Sequence, residues 1–206
     1  MAEQPIPTDV LTALRDLGVA TVYEAWGGTG AMDPAIHAIW PGARVCGPAY
    51  TVRCHPGDNL AAHRAFDNVS PGDVLVIQAG GLLAGYWGGI MTVAAQMRGV
   101  AGLLIDGGVR DSEEIQRIGF PVFARGTGVF RTVKHEKGEL QTPVMIGGVL
   151  VRPGDIIIAD GDGVMSVERE RVDFALEAAR EREAKEKKTV ERIRNGELTL
   201  DIYGWR

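Results

Sequence analysis

Apolar residues recur at helical spacing at Val10, Leu11, Leu14 and Leu17 and stop at Gly18, which predicts a helix over 8–17. Thr21 and Glu24 then stand at the spacing of a capping box, so a short second helix is expected, closed by Gly27-Gly28-Thr29-Gly30. Ala43 to Cys54 reads as a strand pair or one bent strand, because Gly47-Pro48 interrupts it and proline has no N–H to give to a ladder. Asp58 is placed to cap a helix running to about Val69.

Two stretches echo each other. Pro71-Gly72-Asp73 precedes Val74-Leu75-Val76-Ile77, and Pro153-Gly154-Asp155 precedes Ile156-Ile157-Ile158, so each is a turn feeding a buried strand. Between them the order is strand 73–79, glycine loop 80–89, helix 90–98, strand 102–106, a second glycine loop, helix 111–118 and strand 121–124. That alternation predicts parallel strands with right-handed crossovers, hence an α/β fold. A long terminal helix follows over 168–194, with Val172, Ala175, Leu176 and Ala179 on one face and Asn195-Gly196 as its stop. Its stretch Arg180 to Lys188 mixes both signs and reads as a solvated face. The tail from Leu198 to Trp205 turns apolar again, so 168–206 is expected to serve contacts with a neighbouring subunit within a single 1–206 domain.

Composition narrows the function more than the fold. Hydrophobic residues make up 45% and charged residues 24% of 206, enough for a full core. Lys+Arg 22 against Asp+Glu 27 gives a net charge of −5, which argues against nucleic acid and anionic membrane as partners. No basic stretch leads into an apolar segment at the N-terminus, and no apolar run is long enough for a membrane span, so a cytoplasmic protein is expected. Cys46 and Cys54 lack zinc-site spacing and read as reduced, partly buried thiols. Gly 28 is close to twice the usual share of about 7%, so glycine is serving backbone geometry.

In an open parallel sheet ligands gather beyond the carboxyl ends of the strands, and two successive strands deliver glycine-rich loops to that edge. The first, Gly80 to Gly89, opens into a helix near Ile90, so backbone N–H groups face the edge. The second, Asp106-Gly107-Gly108-Val109-Arg110-Asp111, sets a planar fork for a carboxylate beside a hard oxygen ligand for a divalent cation. The competing structural use is plain: Asp111 and Glu114 also have the spacing of a helix cap. The patterns of dinucleotide and P-loop sites are missing, and His37, His55, His63 and His135 are scattered, so each histidine reads as a surface or packing residue.

The stretches Asp58-Asn59-Leu60, Pro71 to Val76, Trp87-Gly88-Gly89-Ile90-Met91, Gly99 to Glu114 and Gly119 to Gly126 together resemble the RraA-like proteins. That family contains metal-dependent 4-hydroxy-4-methyl-2-oxoglutarate / 4-carboxy-4-hydroxy-2-oxoadipate aldolases and also regulators of ribonuclease E. The resemblance runs from about residue 10 to 167 and implies a layered, swivelling β/β/α fold and trimers or paired trimers (hexamers). It further implies that Arg110 grips the carboxylate of a pyruvate unit, that Asp111 ligates Mg2+ or Mn2+, and that the backbone from Gly88 and Gly89 to Ile90 and Met91 holds other substrate oxygens. In the aldolases an acidic residue stands twenty-one positions before the arginine, where this chain has Gly89. Glycine adds room there, which predicts a bulkier or more anionic substrate and a gain on the small methyl-substituted one in Gly89→Asp.

The chemistry implied is cleavage of a 4-hydroxy-2-oxo acid to an enolate of pyruvate, with a divalent cation as Lewis acid and oxaloacetate decarboxylation alongside. Glu114, a metal-bound water or a carboxylate from an adjacent subunit could each be the general base. A Schiff-base route needs a desolvated lysine, and none of Lys134, Lys137, Lys185, Lys187 and Lys188 lies in the glycine loops. The alternative class is a protein-binding module without turnover, like the family's ribonuclease regulators.

Overall fold

Continuous runs such as Val74-Leu75-Val76-Ile77, fully buried, can sit only in strands covered on both faces, and they form the middle of the sheet. A computed structural model describes residues 5–206. Its elements are α1 (Thr8–Leu17), α2 (Val19–Ala25), β1 (His37–Ala38), β2 (Val45–Arg53), α3 (Leu60–Ala65), β3 (Val74–Gln78), α4 (Gly89–Met97), β4 (Gly102–Val109), α5 (Ser112–Ile118) and β5 (Val122–Thr127). Then come β6 (Glu139–Leu140), β7 (Val144–Ile146), β8 (Val149–Val151), β9 (Ile156–Asp160), β10 (Gly163–Val167), α6 (Val172–Arg194) and α7 (Thr199–Ile202).

The strand order is β1-β5-β4-β3-β2-β9-β10, with β6 also on β2 and β7-β8 a separate hairpin. β2, β3, β4 and β5 run parallel, as the alternation predicts, and β9 and β10 are added antiparallel. Helices α3, α4 and α5 cover one face, burying Ala61, Ala62, Met91, Ala95 and Ile115 against Leu75, Ile77, Leu103 and Ile105. The other face packs Val74, Val76, Leu104 and Phe123 against the β7-β8 hairpin and β9. A third cluster joins α1, α2 and α6 to β9 and β10 through Leu14, Val22, Ile158, Met165 and Leu176. This is the layered α/β fold expected.

Of the two readings of 43–54 the single strand holds, and three other local expectations are corrected. The segment 43–54 holds one continuous strand, and it changes neighbours at Pro48: Val45–Pro48 pair with β9 and Ala49–Arg53 with β3. The second helix begins at Val19, so Thr21 and Glu24 lie inside it and form no capping box; Asp160 Oδ2 accepts the Val19 N–H at 2.9 Å from across the chain. The helix after Asp58 stops at Ala65, and Asp58 Oδ1 accepts the Leu60 N–H at 2.8 Å. The second glycine loop is strand through Val109, because Gly107 and Gly108 have no Cβ to strike Ala79 Cβ and the Ala84 carbonyl, 2.8 and 2.7 Å from where one would be.

The terminal helix follows a short 3-10 turn, and its buried residues are the four that the pattern selects. Beyond Ala179 it is solvated and carries pairs such as Lys187 to Glu183 at 2.9 Å, worth little for stability. The tail turns back as α7 and leaves Leu198, Tyr203 and Trp205 exposed, Trp205 at 68%. Cys46 and Cys54 are free, and burial pushes both thiols up to about 12, so neither is a thiolate at neutral pH. Among the described residues no helix is long and apolar enough to cross a membrane.

Asp160 is 5% exposed, and its second oxygen accepts the Asp162 N–H at 2.9 Å. Asp160→Ala strands two N–H donors, so a loss of roughly 1–3 kcal/mol is expected, read as a fall in Tm of a few degrees. An unchanged melting temperature would show that water replaces this cap at no cost.

Candidate functional site

The loop between β3 and α4 is anchored by its two aromatics. Tyr86 is fully buried, and its hydroxyl donates to the Ala79 carbonyl at 3.2 Å and accepts from the Gly57 N–H at 2.6 Å. Trp87 donates its indole N–H to Thr92 Oγ1 at 2.9 Å, and that hydroxyl donates to the Gly88 carbonyl at 3.0 Å. The next β-strand is tied in by the Arg110 N–H on the Trp87 carbonyl at 2.9 Å. Rigid packing therefore delivers Gly88 and Gly89 beside Arg110 and Asp111.

Asp111 resolves the ambiguity over capping. It sits at the start of α5 with φ 58 and ψ 37, a left-handed conformation that asparagine and aspartate tolerate better than most residues, and makes no side-chain bond to its own helix. Its Oδ2 instead accepts the N–H of Gly89 at 3.0 Å and lies 3.8 Å from Arg110 Nε. Both side chains remain open to solvent, at 51% for Arg110 and 43% for Asp111. A backbone conformation of this kind, kept without the cap that would explain it, marks a position held for its side chain.

Arg110 and Asp111 line a cleft of about 580 Å³ together with Gly88, Ile90 and Met91. In the first turn of α4 the N–H groups have no intrahelical acceptor, and Asp111 takes only that of Gly89. On the other side of the Arg110–Asp111 ridge lies a second hollow, walled by Leu83, Val129 and Phe130. Asp106 is turned elsewhere: it is ion-paired with Arg125, which also holds Asp33 at 2.9 Å.

Gly89 is absent from the cleft lining, and the reason is Glu114. A Cβ on Gly89 would lie 2.3 Å from Glu114 Oε2, and one on Gly88 would lie 2.5 Å from Asp111 Oδ2. The room expected in front of Gly89 is thus already filled by a carboxylate from α5. Glu114 joins the site from behind this glycine and is not part of the cleft wall.

Among the lining residues that escape the sequence reading are Asn59, His63, Arg131 and Lys134. His63, taken as a surface or packing residue, is half-buried in the cleft, and burial, with a smaller push from Lys134, lowers its pKa below the usual histidine value. Lys134 lies outside the glycine loops, yet it reaches the same cleft from the segment after β5. That segment is irregular, so no periodicity marks it; Asp58 pins it by accepting the N–H groups of His135 and Glu136 at 2.6 and 2.9 Å. Burial pushes the Asp58 carboxyl up, but these donors and that of Leu60 outweigh it, and its pKa is lowered.

A divalent cation can be tested against the donor set. No group of three or more His, Cys, Asp or Glu side chains is assembled for a metal among the described residues. The carboxylates of Asp111 and Glu114, which both reach Gly89, are too few for a closed zinc site. They suit Mg2+ or Mn2+, hard ions commonly held by one or two carboxylates with water and substrate oxygens completing the shell.

The chain matches the RraA-like family (Aldolase/RraA) over residues 19–166. A protein of Halalkalibacterium halodurans named "Putative 4-hydroxy-4-methyl-2-oxoglutarate aldolase" is 32% identical over 95% of this chain and 93% of its own. Among solved structures, an uncharacterized protein from Pseudomonas syringae superposes with a TM-score of 0.81 at 29% identity, covering 95% of this chain and 97% of that one. Streptomyces coelicolor RraAS2, described as an unusual member of the RNase ES inhibitor RraA protein family, gives 0.78 at 27% identity over 91% and 98%. Relatives thus carry both aldolase and inhibitor names.

Proposed function

Because this chain belongs to the RraA-like family, we propose that it is a divalent-metal-dependent aldolase, a lyase that cleaves a 4-hydroxy-2-oxo acid to pyruvate and also decarboxylates oxaloacetate. The observation that carries this reading is Asp111: a left-handed residue that leaves its own helix uncapped and presents a carboxylate beside Arg110 at an open cleft. A regulator that acts only through its surface has no need of that arrangement.

In this reading Arg110 binds the carboxylate of the pyruvate unit with its planar fork. The N–H groups of Ile90 and Met91, at the positive end of α4, receive the other oxygens. Asp111 holds the cation. When bound, the cation supplies positive charge next to the keto and carboxylate oxygens and stabilises the charge that develops there. Trp87 and Tyr86 keep the glycine backbone from shifting as that happens. Lys134 is exposed, whereas a Schiff-base route needs a desolvated lysine.

Glu114 takes the place of the acid that the aldolase pattern carries at position 89, since its carboxylate occupies the space that a side chain there would fill. Glu114→Gln should lower turnover by roughly a hundredfold, the low end of general acid–base contributions. Gly89→Asp alone should bring no gain, because two carboxylates then compete for one place; combined with Glu114→Ala it should recover much of what Glu114→Ala loses. A rise in activity in Gly89→Asp with Glu114 intact would return this role to position 89.

The protein works as a trimer or hexamer in this reading. Ile90 and Met97 on α4, with Val129 and Phe130 beside the second hollow, are 74–86% exposed, and the tail adds Trp205. Light scattering should give a multiple of three chains at micromolar concentration, and a monomer would contradict this. The experiment that decides between enzyme and regulator is a panel of 4-hydroxy-2-oxo acids and oxaloacetate, with and without Mg2+. Turnover that chelator abolishes supports the aldolase; a protein that neither binds the metal nor turns over any of them is the regulator.

A further inference from the structure

Resting on the reading of the cleft as a 2-oxo-acid site, we propose that Asp58 is a positioning residue for it. Its buried carboxylate fastens the strap 131–136 to the cleft wall, and through that strap it sets where Arg131 stands, without touching the substrate itself.

The strap has little else to hold it. Of residues 131–136 only Thr132 is partly buried; the others are exposed, Val133 at 50%, so apolar packing contributes little. Among the described residues the backbone hydrogen bonds of 131–136 all run to 57–59. Val133 donates its N–H to the Gly57 carbonyl at 2.9 Å and accepts the Asn59 N–H at 3.1 Å. His135 and Glu136 donate theirs to Asp58 Oδ2 at 2.6 and 2.9 Å. Hydrogen bonds to an ionised carboxylate are roughly twice as strong as neutral ones, so the Asp58 oxygen is the main tie.

Asp58 is itself firmly held. It is 1% exposed, its Oδ1 accepts the Leu60 N–H at 2.8 Å, and the neighbouring Gly57 N–H donates to the buried Tyr86 hydroxyl at 2.6 Å. Asp58 does not line the cleft, whereas Arg131, Thr132, Val133 and Lys134 do. Arg131 stands between this latch and Phe130, whose carbonyl accepts the Gly85 N–H at 2.9 Å. Among the described residues Arg131 makes no ion pair, so the course of the strap directs it. Arg110 and Asp111 are held separately, by the Trp87 carbonyl and the Gly89 N–H. A loosened strap therefore costs binding and leaves the groups at Arg110 and Asp111 in place.

Steady-state kinetics of the Mg2+-loaded protein with oxaloacetate test this. Asp58→Ser keeps one oxygen to accept the Leu60 N–H and has no second oxygen for the strap. It should raise KM by about tenfold, the cost of ordering a loosened segment at each binding event, and change kcat by less than about twofold. Arg131→Gln should raise KM by a similar factor, and the double variant by no more than the larger single one, because an arginine already out of place has nothing left to lose. An unchanged KM in either single variant, or factors that multiply in the double, overturns the proposal. So does a kcat that falls while KM stays. Should Asp58→Ser fold poorly, amide hydrogen exchange on the unaltered protein carries the test together with Arg131→Gln. His135 and Glu136 should exchange at least about tenfold more slowly than Lys134 and Lys137, and equal rates overturn the latch. If the unaltered protein does not turn over oxaloacetate, the 2-oxo-acid reading falls. The latch then stands if exchange at His135 and Glu136 is faster in Asp58→Ser and fails if it is unchanged.

Discussion

Asp111→Ala is expected to remove divalent-metal binding and pyruvate release together, with neither restored by excess Mg2+. Outer-shell partners of a metal typically cost 10–100-fold in affinity when removed, and a direct carboxylate ligand at a site this sparse should cost at least about a hundredfold. The alternative is that Asp111 matters only because its Oδ2 holds the Gly89 N–H. Asp111→Asn separates the two. Asparagine keeps an acceptor for that N–H and also tolerates the left-handed backbone, while its charge is gone. A variant that keeps its melting temperature but loses Mg2+ in a calorimetric titration supports the metal role. Full turnover in Asp111→Asn would assign Asp111 to the architecture of the loop.

Arg110→Lys is expected to cut catalytic efficiency by on the order of tenfold to several-hundredfold although the charge is kept. A lysine offers a point charge where the guanidinium offers two parallel donors, and a lost hydrogen bond to a charged group costs about 1.5–3 kcal/mol. The structure leaves the fork available, since among the described residues its one ionic contact is the loose 3.8 Å approach to Asp111. Stopped assays with oxaloacetate and with a 4-hydroxy-2-oxo acid should fall in parallel, because both reactions hold the same pyruvate carboxylate. Wild-type kinetics in this variant would mean that substrate carboxylates are held elsewhere, with Arg131 the next candidate.

The periodic parts of this protein were legible without coordinates. The buried runs at Val74–Ile77 and Leu103–Ile105 and the helices between them follow from local pattern, because a strand covered on both faces and a helix covered on one leave different spacings in the chain. Arg110, Asp111, Gly88, Ile90 and Met91 could be placed at one edge for the same reason: parallel strands send their carboxyl ends the same way. What spacing could not supply was every contact between distant segments. Asp160 caps a helix 141 residues away, Glu114 fills the space before Gly89, and an irregular stretch brings Arg131 and Lys134 to a cleft with no local pattern to announce it. A side chain's partner across the fold depends on how whole layers pack, and no periodicity records it. Asp111 and Glu114 have the spacing of a helix cap; only the left-handed turn at Asp111, aimed at Gly89, shows that Asp111 does not cap its own helix.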